Sequence, residues 1–530
     1  MHQLHRNTIK QMIQKMNYRR MYIVNFRKPF LTGALIVMLI GLTVLQSCKK
    51  HHSQVGAHLV EATGNKVFGK IDMDEFGIRM KAAISARSKT LKNPKFTDAL
   101  YAANNYEPIL VEKFLPDSGL IRAANTIASA EDHGLSPEAF KLSEFKSVLQ
   151  KTYDKAAVKD LELAYQTIID LELAASNSIT TYSQAMEYGL VSPRRIYAQY
   201  YTKTKRPDSL SFKKPYQTTD LAAFLDSIQP KSADYKMLQQ ALKQNTLAPG
   251  HSAEESKRII QVNLERLRWQ NNPTEEKYVW VNIPEYQLHV IEKGKAAITM
   301  KVCVGEGREQ PAGQSLAEYD EVDLEKDRPF NRETPQLKSM IHSVQVNPVW
   351  NIPQSIATNE IATQAAKDRY YLSNNNIDVF YKGKLVEDPE TIDWTAKDVG
   401  KTYAFKQRPG DDNSLGKIKF LFNNQSSVYL HDTPAKAAFN QTVRAVSHGC
   451  VRVEQPLELA RALFGAGKKF DRISAGMAST DPKAENISLP KQIPVYLSYF
   501  TCWRDPNGVL KFAKDVYGLD AVLYTHLFKV

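Results

Sequence analysis

Cysteine is scarce in this sequence: four among 530 residues, at Cys48, Cys303, Cys450 and Cys502. So few thiols exclude a disulfide-built scaffold, and no Cys/His set has zinc-ligand spacing, so neither a metal nor a cofactor is expected. Acidic residues are missing from the first 48 positions, which carry seven Lys and Arg. No dense basic run exists, and beyond residue 48 the net charge of +13 shrinks to +6. That argues against a nucleic-acid partner and suits a surface facing an anionic polymer. Internal repeats and low-complexity tracts are absent. Gly305-Glu306-Gly307 is not followed by a helix opening on Lys-Ser/Thr, so it reads as a hairpin turn rather than a phosphate loop.

Chemistry is concentrated in Ser447-His448-Gly449-Cys450-Val451-Arg452, with His431 nineteen residues upstream. A thiol attacks as thiolate and needs an imidazole to take its proton. Gly449 allows a bend that would aim the N–H groups of Gly449 and Cys450 at an oxyanion. Val428-Tyr429-Leu430-His431 alternates as a strand does, which places Tyr429 and His431 on one face. His431 at a strand end is the better base. His448, two residues from the sulfur, is better suited to shaping the loop or touching substrate. Arg452 suits an anionic carboxylate or a loop-fixing ion pair. Trp350 fits core or cleft wall equally. Cys303 and Cys502 read as packing residues, with a disulfide between them left open.

The segments Asn263–Trp269, Val346–Ile356, Arg408–Phe420, Val428–Pro434, Arg444–Phe464 and Tyr499–Asp520 resemble, in order, the L,D-transpeptidase (YkuD) family and its large YcbB-like members. The resemblance implies an α+β multidomain chain: a helical scaffold domain, then a β-rich catalytic domain with an inserted capping subdomain. It implies Cys450 as nucleophile and His431 as base, steadied by a backbone carbonyl. Gly449 and Cys450 would be the oxyanion donors. Ser447, His448, Arg452, Tyr429 and Arg408 would be signature and substrate-binding residues. The implied partner is a peptidoglycan stem peptide, attacked at its third residue with loss of D-alanine, and carbapenems are implied as covalent inhibitors.

Composition sets the expected boundaries. Residues 1–47 read as a signal segment: Arg27 and Lys28 precede the apolar run Phe30 to Leu45, and Leu45-Gln46-Ser47-Cys48 resembles a lipobox. Its 16 residues fall short of the roughly 20 of a spanning helix, so lipidation of Cys48 is favoured over an uncleaved anchor. Met21 is an alternative start. A periplasmic, membrane-tethered protein of an outer-membrane bacterium is expected. Residues 48–75 read as a tether. Residues 76–270 read as scaffold, from stripes such as Leu161, Ala164, Ile168, Leu171 and Ala175. Residues 271–480 form the catalytic domain, with a capping insert at 356–405, and residues 481–530 form a segment packing on it. Only ten residues, Leu247 to Ser256, separate the scaffold from the next helix, so the small glycan-binding module common in such chains is expected to be absent. Rival readings are a peptidase of the NlpC/P60 type, where the nucleophile precedes its histidine; stem hydrolysis by this same fold; and a non-catalytic wall-binding lipoprotein.

Overall fold

A computed structural model describes residues 54–307, 316, 327 and 332–528. The signal segment, Cys48 and the alternative start at Met21 lie outside the described residues. Among the described residues no helix is long and apolar enough to cross a membrane.

The helical half is organised by Leu161–Tyr188, a 28-residue helix about 42 Å long at 1.5 Å per residue. Asp160 caps it, accepting from Leu163 N at 2.9 Å. Ala164, Ile168, Leu171 and Ala175 are buried, whereas Leu161 stays partly exposed at the first turn. Inside the bundle the fully buried Glu172 carboxylate accepts from the N–H groups of Ile109, Leu110 and Val111 and from Tyr101 Oη. It thereby satisfies orphan donors at the start of the helix Leu110–Phe114. The expected tether needs correction from residue 54 onward. Gln54–Thr63 is a helix, and Val55, Leu59, Phe68 and Ile71 are buried in the scaffold core. Four apolar anchors in so polar a stretch are enough to dock it.

The β-rich half is a barrel. Its strands are β1 (Lys277–Asn282), β2 (Gln287–Glu292), β3 (Lys295–Gly305), β4 (Leu337–Val346), β9 (Ile418–Phe422), β10 (Leu430–His431), β12 (Val451–Val453) and β13 (Glu485–Ser498), with β11 (Ala445–Ser447) attached to β3. The order β3-β12-β10-β9-β4-β13-β1-β2 closes because β2 also pairs with β3. Alternation fills the interior with Val279, Val281, Leu288, Val290, Val302, Ile418, Phe420, Leu430, Val451 and Val495. The next residues along each strand face outward.

Three expectations change here. Residues 481–530 do not simply pack on the domain: β13 is a barrel strand between β1 and β4, and the helix Leu519–Phe528 lies against the scaffold helix Ala253–Arg268. Gly305–Gly307 is not a tight hairpin, because the end of β3 is held against Arg332 to Thr334. A Cβ on Gly305 would stand 1.8 Å from Arg332 O. The insert is wider than 356–405. It is built on β5 (Trp350–Asn351), β6 (Ile377–Tyr381), β7 (Lys384–Leu385) and β8 (Ala404–Gln407), in the order β5-β8-β6-β7. It has its own core, including Ile352, Ile361, Leu372, Val379 and Phe405. A last hairpin, β14 (Cys502–Arg504) with β15 (Leu510–Phe512), precedes the final helix.

Candidate active site

Strand pairing assembles the site. In β10 and β12, which run parallel, Leu430 lies beside Val451 and His431 beside Arg452. His431 also faces Lys419 on β9, and Arg452 faces Cys303 on β3. Their strand neighbours Phe420, Leu430, Val451 and Val302 fill the barrel, so Lys419, His431, Arg452 and Cys303 form one row on its outer face. Tyr429 and Cys450 form the next row, tied by Val451 N donating to Tyr429 O at 3.1 Å. Cys450 and His431 are therefore diagonal neighbours on one face. The Tyr429 and His431 rings meet edge-on with centroids 5.7 Å apart.

Each group is tuned by its surroundings. His431 Nδ1 bonds the carbonyl of Asp432, which leaves Nε2 as the free lone pair of a neutral ring. The Asp432 carboxylate is engaged elsewhere, accepting from Lys417 N at 2.9 Å and Lys436 Nζ at 2.5 Å. Burial, and next the Arg452 charge, push the His431 imidazole down to about 4. Burial pushes the half-buried Cys450 thiol up, while Tyr429, Arg452 and Lys419 pull the other way without overcoming it. The resting pair is thus neutral thiol with neutral imidazole. Burial also lowers the Lys419 ammonium, opposed by the Cys450 sulfur, and Lys419 Nζ stands 5.4 Å from the centre of the Tyr429 ring. Arg452 has no ion-pair partner among the described residues, so its charge is available to an anionic ligand.

The loop before the sulfur is held from three sides. Ser447 Oγ donates to Cys450 O at 2.6 Å and accepts from Gly449 N at 3.1 Å. That corrects the expectation for Gly449: its N–H is spent on Ser447, and of the two expected donors only the N–H of Cys450 is left without an acceptor among the described residues. Gly449 sits at φ +109°, a conformation that favours glycine. Its carbonyl accepts from Thr334 Oγ1 at 2.9 Å, and Thr334 Oγ1 also accepts from Gly305 N at 2.8 Å. Tyr517 Oη donates to Gly305 O at 2.9 Å and accepts from Thr334 N at 3.1 Å.

His448 turns away from the sulfur. Its Nε2 bonds Glu360 Oε1 of the capping subdomain at 2.6 Å. Arg332 joins the same carboxylate at 3.0 Å and Glu306 at 2.8 Å. Glu360 lies on a π-turn, Ala357–Ile361, a distortion frequent at functional sites. Trp350 is half-buried and packs against the core of the capping subdomain. Arg408 is not brought to the sulfur. It is exposed and paired with Asp378 of the capping sheet at 3.3 Å. Cys303 and Cys502 are free, buried thiols. Sequence reasoning missed Lys419, Thr334, Glu360 and Tyr517. Tyr517 and Lys419 lay within matching segments, and Lys419 was detectable as the outward phase of the Ile418–Phe422 alternation.

Comparison with known proteins bears on this geometry. Residues 276–464 match the YkuD L,D-transpeptidase catalytic domain, and residues 95–242 match the Scaffold domain. The chain carries an L,D-transpeptidase catalytic domain behind a scaffold domain. Both Cys450 and His431 fall inside the matched transpeptidase region. A protein of Haemophilus influenzae provisionally named an L,D-transpeptidase is 28% identical over 327 residues, which is 61% of this chain and 61% of that protein. The chain thus spans about three-fifths of the length of the curated relative it matches. The α+β arrangement expected from the sequence, helical scaffold first and β-rich transpeptidase domain second, holds.

Proposed function

We propose that this protein is a peptidoglycan L,D-transpeptidase that works through a Cys450 thioester. The observation that carries the reading is the single outer face shared by Cys450, His431, Tyr429 and Arg452, with the Cys450 N–H open beside them. The sulfur attacks the carbonyl carbon of the third stem residue as its proton passes to His431 Nε2. The developing oxyanion takes the Cys450 N–H. The C–N bond to the terminal D-alanine then breaks, and the imidazolium gives its proton to the leaving amine. An acceptor amine next attacks the thioester, loses a proton to His431, and returns the sulfur to thiol. Arg452 receives a stem carboxylate, and the capping subdomain limits water at the thioester, which favours aminolysis. The reading carries with it a location outside the cytoplasmic membrane, tethered through a lipidated Cys48.

Mass spectrometry of the protein mixed with a stem tetrapeptide muropeptide, and separately with a carbapenem, tests this. The wild type is expected to gain one acyl mass at Cys450, Cys450→Ala none, and His431→Ala little. An adduct retained by Cys450→Ala ends the assignment. Muropeptide products then separate transfer from hydrolysis: cross-linked dimers favour transfer, and tripeptides without dimers make the protein a hydrolase. Complete failure of thiol labelling would point to the non-catalytic wall-binding reading.

A further inference from the structure

A cavity of about 160 Å3 lies away from the sulfur, where the scaffold helix Ala233–Lys243, the outer face of β1–β2 and the β14–β15 hairpin meet. Register gives the separation. Trp280 on its wall faces His289, and His289 faces Thr299 on β3. Cys450 lies near the Gly305 end of that strand, six residues further along, or about 20 Å at 3.3 Å per residue. The cavity is small beside the roughly 300–1,000 Å3 of sites for drug-sized ligands, and its size suits one ring.

Its lining is specific in kind. Tyr278 and Trp280 present half-buried aromatic faces, and the Trp280 indole is set by stacking on His289, with centroids 5.3 Å apart. Trp503 is a third aromatic wall, and its buried indole N–H has no hydrogen-bond partner among the described residues. Such a donor is ordinarily satisfied, and a ligand or water would satisfy it. Around the rings stand Asn272, Asp234 and Arg504, the last two 3.6 Å apart. The guanidinium is thereby matched by a carboxylate, and the lining carries no excess positive charge to draw an anion. Flat apolar faces, amide and charged hydrogen-bonding groups in opposed pairs, and an unmet N–H together suit a neutral ring with an apolar C–H face and many hydroxyls.

We propose that this cavity holds one N-acetylated amino-sugar ring of the wall glycan, as a grip separate from the active site. The inference rests on the peptidoglycan reading above and deepens it. It places a glycan contact at the scaffold–barrel junction, apart from the groove that takes the stem.

The test is calorimetric titration of the full chain with a β-1,4-linked N-acetylglucosamine tetramer, and separately with a sugar-free stem tetrapeptide. The tetramer is expected to bind wild type and Cys450→Ala alike. Binding is expected to weaken about tenfold or more in Trp280→Ala and Asp234→Ala, a loss of about 1.4 kcal/mol or more. Melting temperatures and far-ultraviolet circular dichroism equal to wild type certify the folding of both cavity variants. Absence of tetramer binding to wild type overturns the proposal. So does unchanged binding in both folded variants, or a cavity that takes the sugar-free peptide instead. Failure of Cys450 to acylate alongside Trp280-dependent tetramer binding would sink the transferase reading and leave the grip standing.

Discussion

At the scale of residues, the state of the resting pair decides how the site responds to pH. His431 is held down to about 4 by burial and by Arg452, so it accepts a proton from the thiol only as attack proceeds. Protonated imidazole cannot act as base, so acylation is lost as pH falls through the folded value, about 4, rather than through the 6.5 of a solvated histidine. Initial rates of carbapenem acylation, followed by mass, are expected to change little from pH 7 to 5 and to halve near pH 4. An acid limb between 6 and 7 would show that water reaches the ring. Gly449→Ala is a second residue-scale prediction. At φ +109° the added Cβ costs about 1–3 kcal/mol, and the loop relieves this by turning the Cys450 N–H. Acylation is expected to fall at least several-fold with little change in the melting temperature, and an unchanged rate would remove that N–H from the mechanism. Local alternation made Tyr429 and His431 legible as one face, which strand pairing extends to Arg452. The role of Ser447 was equally local, since a serine hydroxyl two residues back competes for a backbone N–H, yet Gly449 was read as an open donor. Thr334 and Glu360 join the site only through contacts many residues away in sequence, and no spacing rule reveals them. Alternation marks Lys419 as outward, but only strand pairing brings it beside His431.

At the scale of elements, the capping subdomain is a folded unit with its own core, latched to the signature loop by Glu360. The bond to His448 and the Arg332 pair are all partly exposed, so the latch is worth no more than an ordinary surface ion pair, about 0–1 kcal/mol. That suits a cover that must admit a stem and then an acceptor. Glu360→Gln is expected to leave acylation intact and to shorten the acyl-enzyme lifetime in water by a few-fold, read from the decay of the acylated mass. A lifetime equal to wild type would mean that the latch does not limit water. Strand signals were legible where hydrophobic alternation was clean, as in β1, β2 and β9. β13 was missed because Pro490 and Pro494 interrupt its pattern and read as breakers. The structure absorbs Pro490 where the register with β4 shifts between Ser488 and Ile493, and holds Pro494 in register opposite Met340.

At the scale of the whole molecule, the tail fastens the two halves together. Arg266 of the scaffold helix Ala253–Arg268 pairs with Asp520 at 2.5 Å, and Asn263 and Thr501 bond each other and extend the network. Tyr197 Oη donates to Leu519 O at 2.8 Å. Asp515, half-buried, lies beside Asp520, and its side chain accepts from Leu519 N and Asp520 N. Burial, and next the Asp520 charge, raise its carboxyl to about 7. The sign follows directly: between about pH 4, where the unfolded chain loses this proton, and about 7, the folded state holds one proton more. This group therefore makes the fold less stable as pH rises through that window, and flat above it. His431 and His133, both lowered to about 4 mainly by burial, act in the opposite sense up to about 6.5, so the wild-type curve alone does not isolate the effect. Comparison with Asp515→Asn does. Whatever constant offset the amide brings, the stability of the variant relative to wild type is expected to climb between pH 5 and 7.5, by of the order of 2 kcal/mol, in urea melts at each pH. A difference independent of pH would mean that Asp515 is ionised throughout and that Arg266 serves both carboxylates. In that case Arg266→Met, which strips the guanidinium from the Asp520 carboxylate at a cost of about 3–5 kcal/mol, would weaken the fold equally at pH 5 and pH 8.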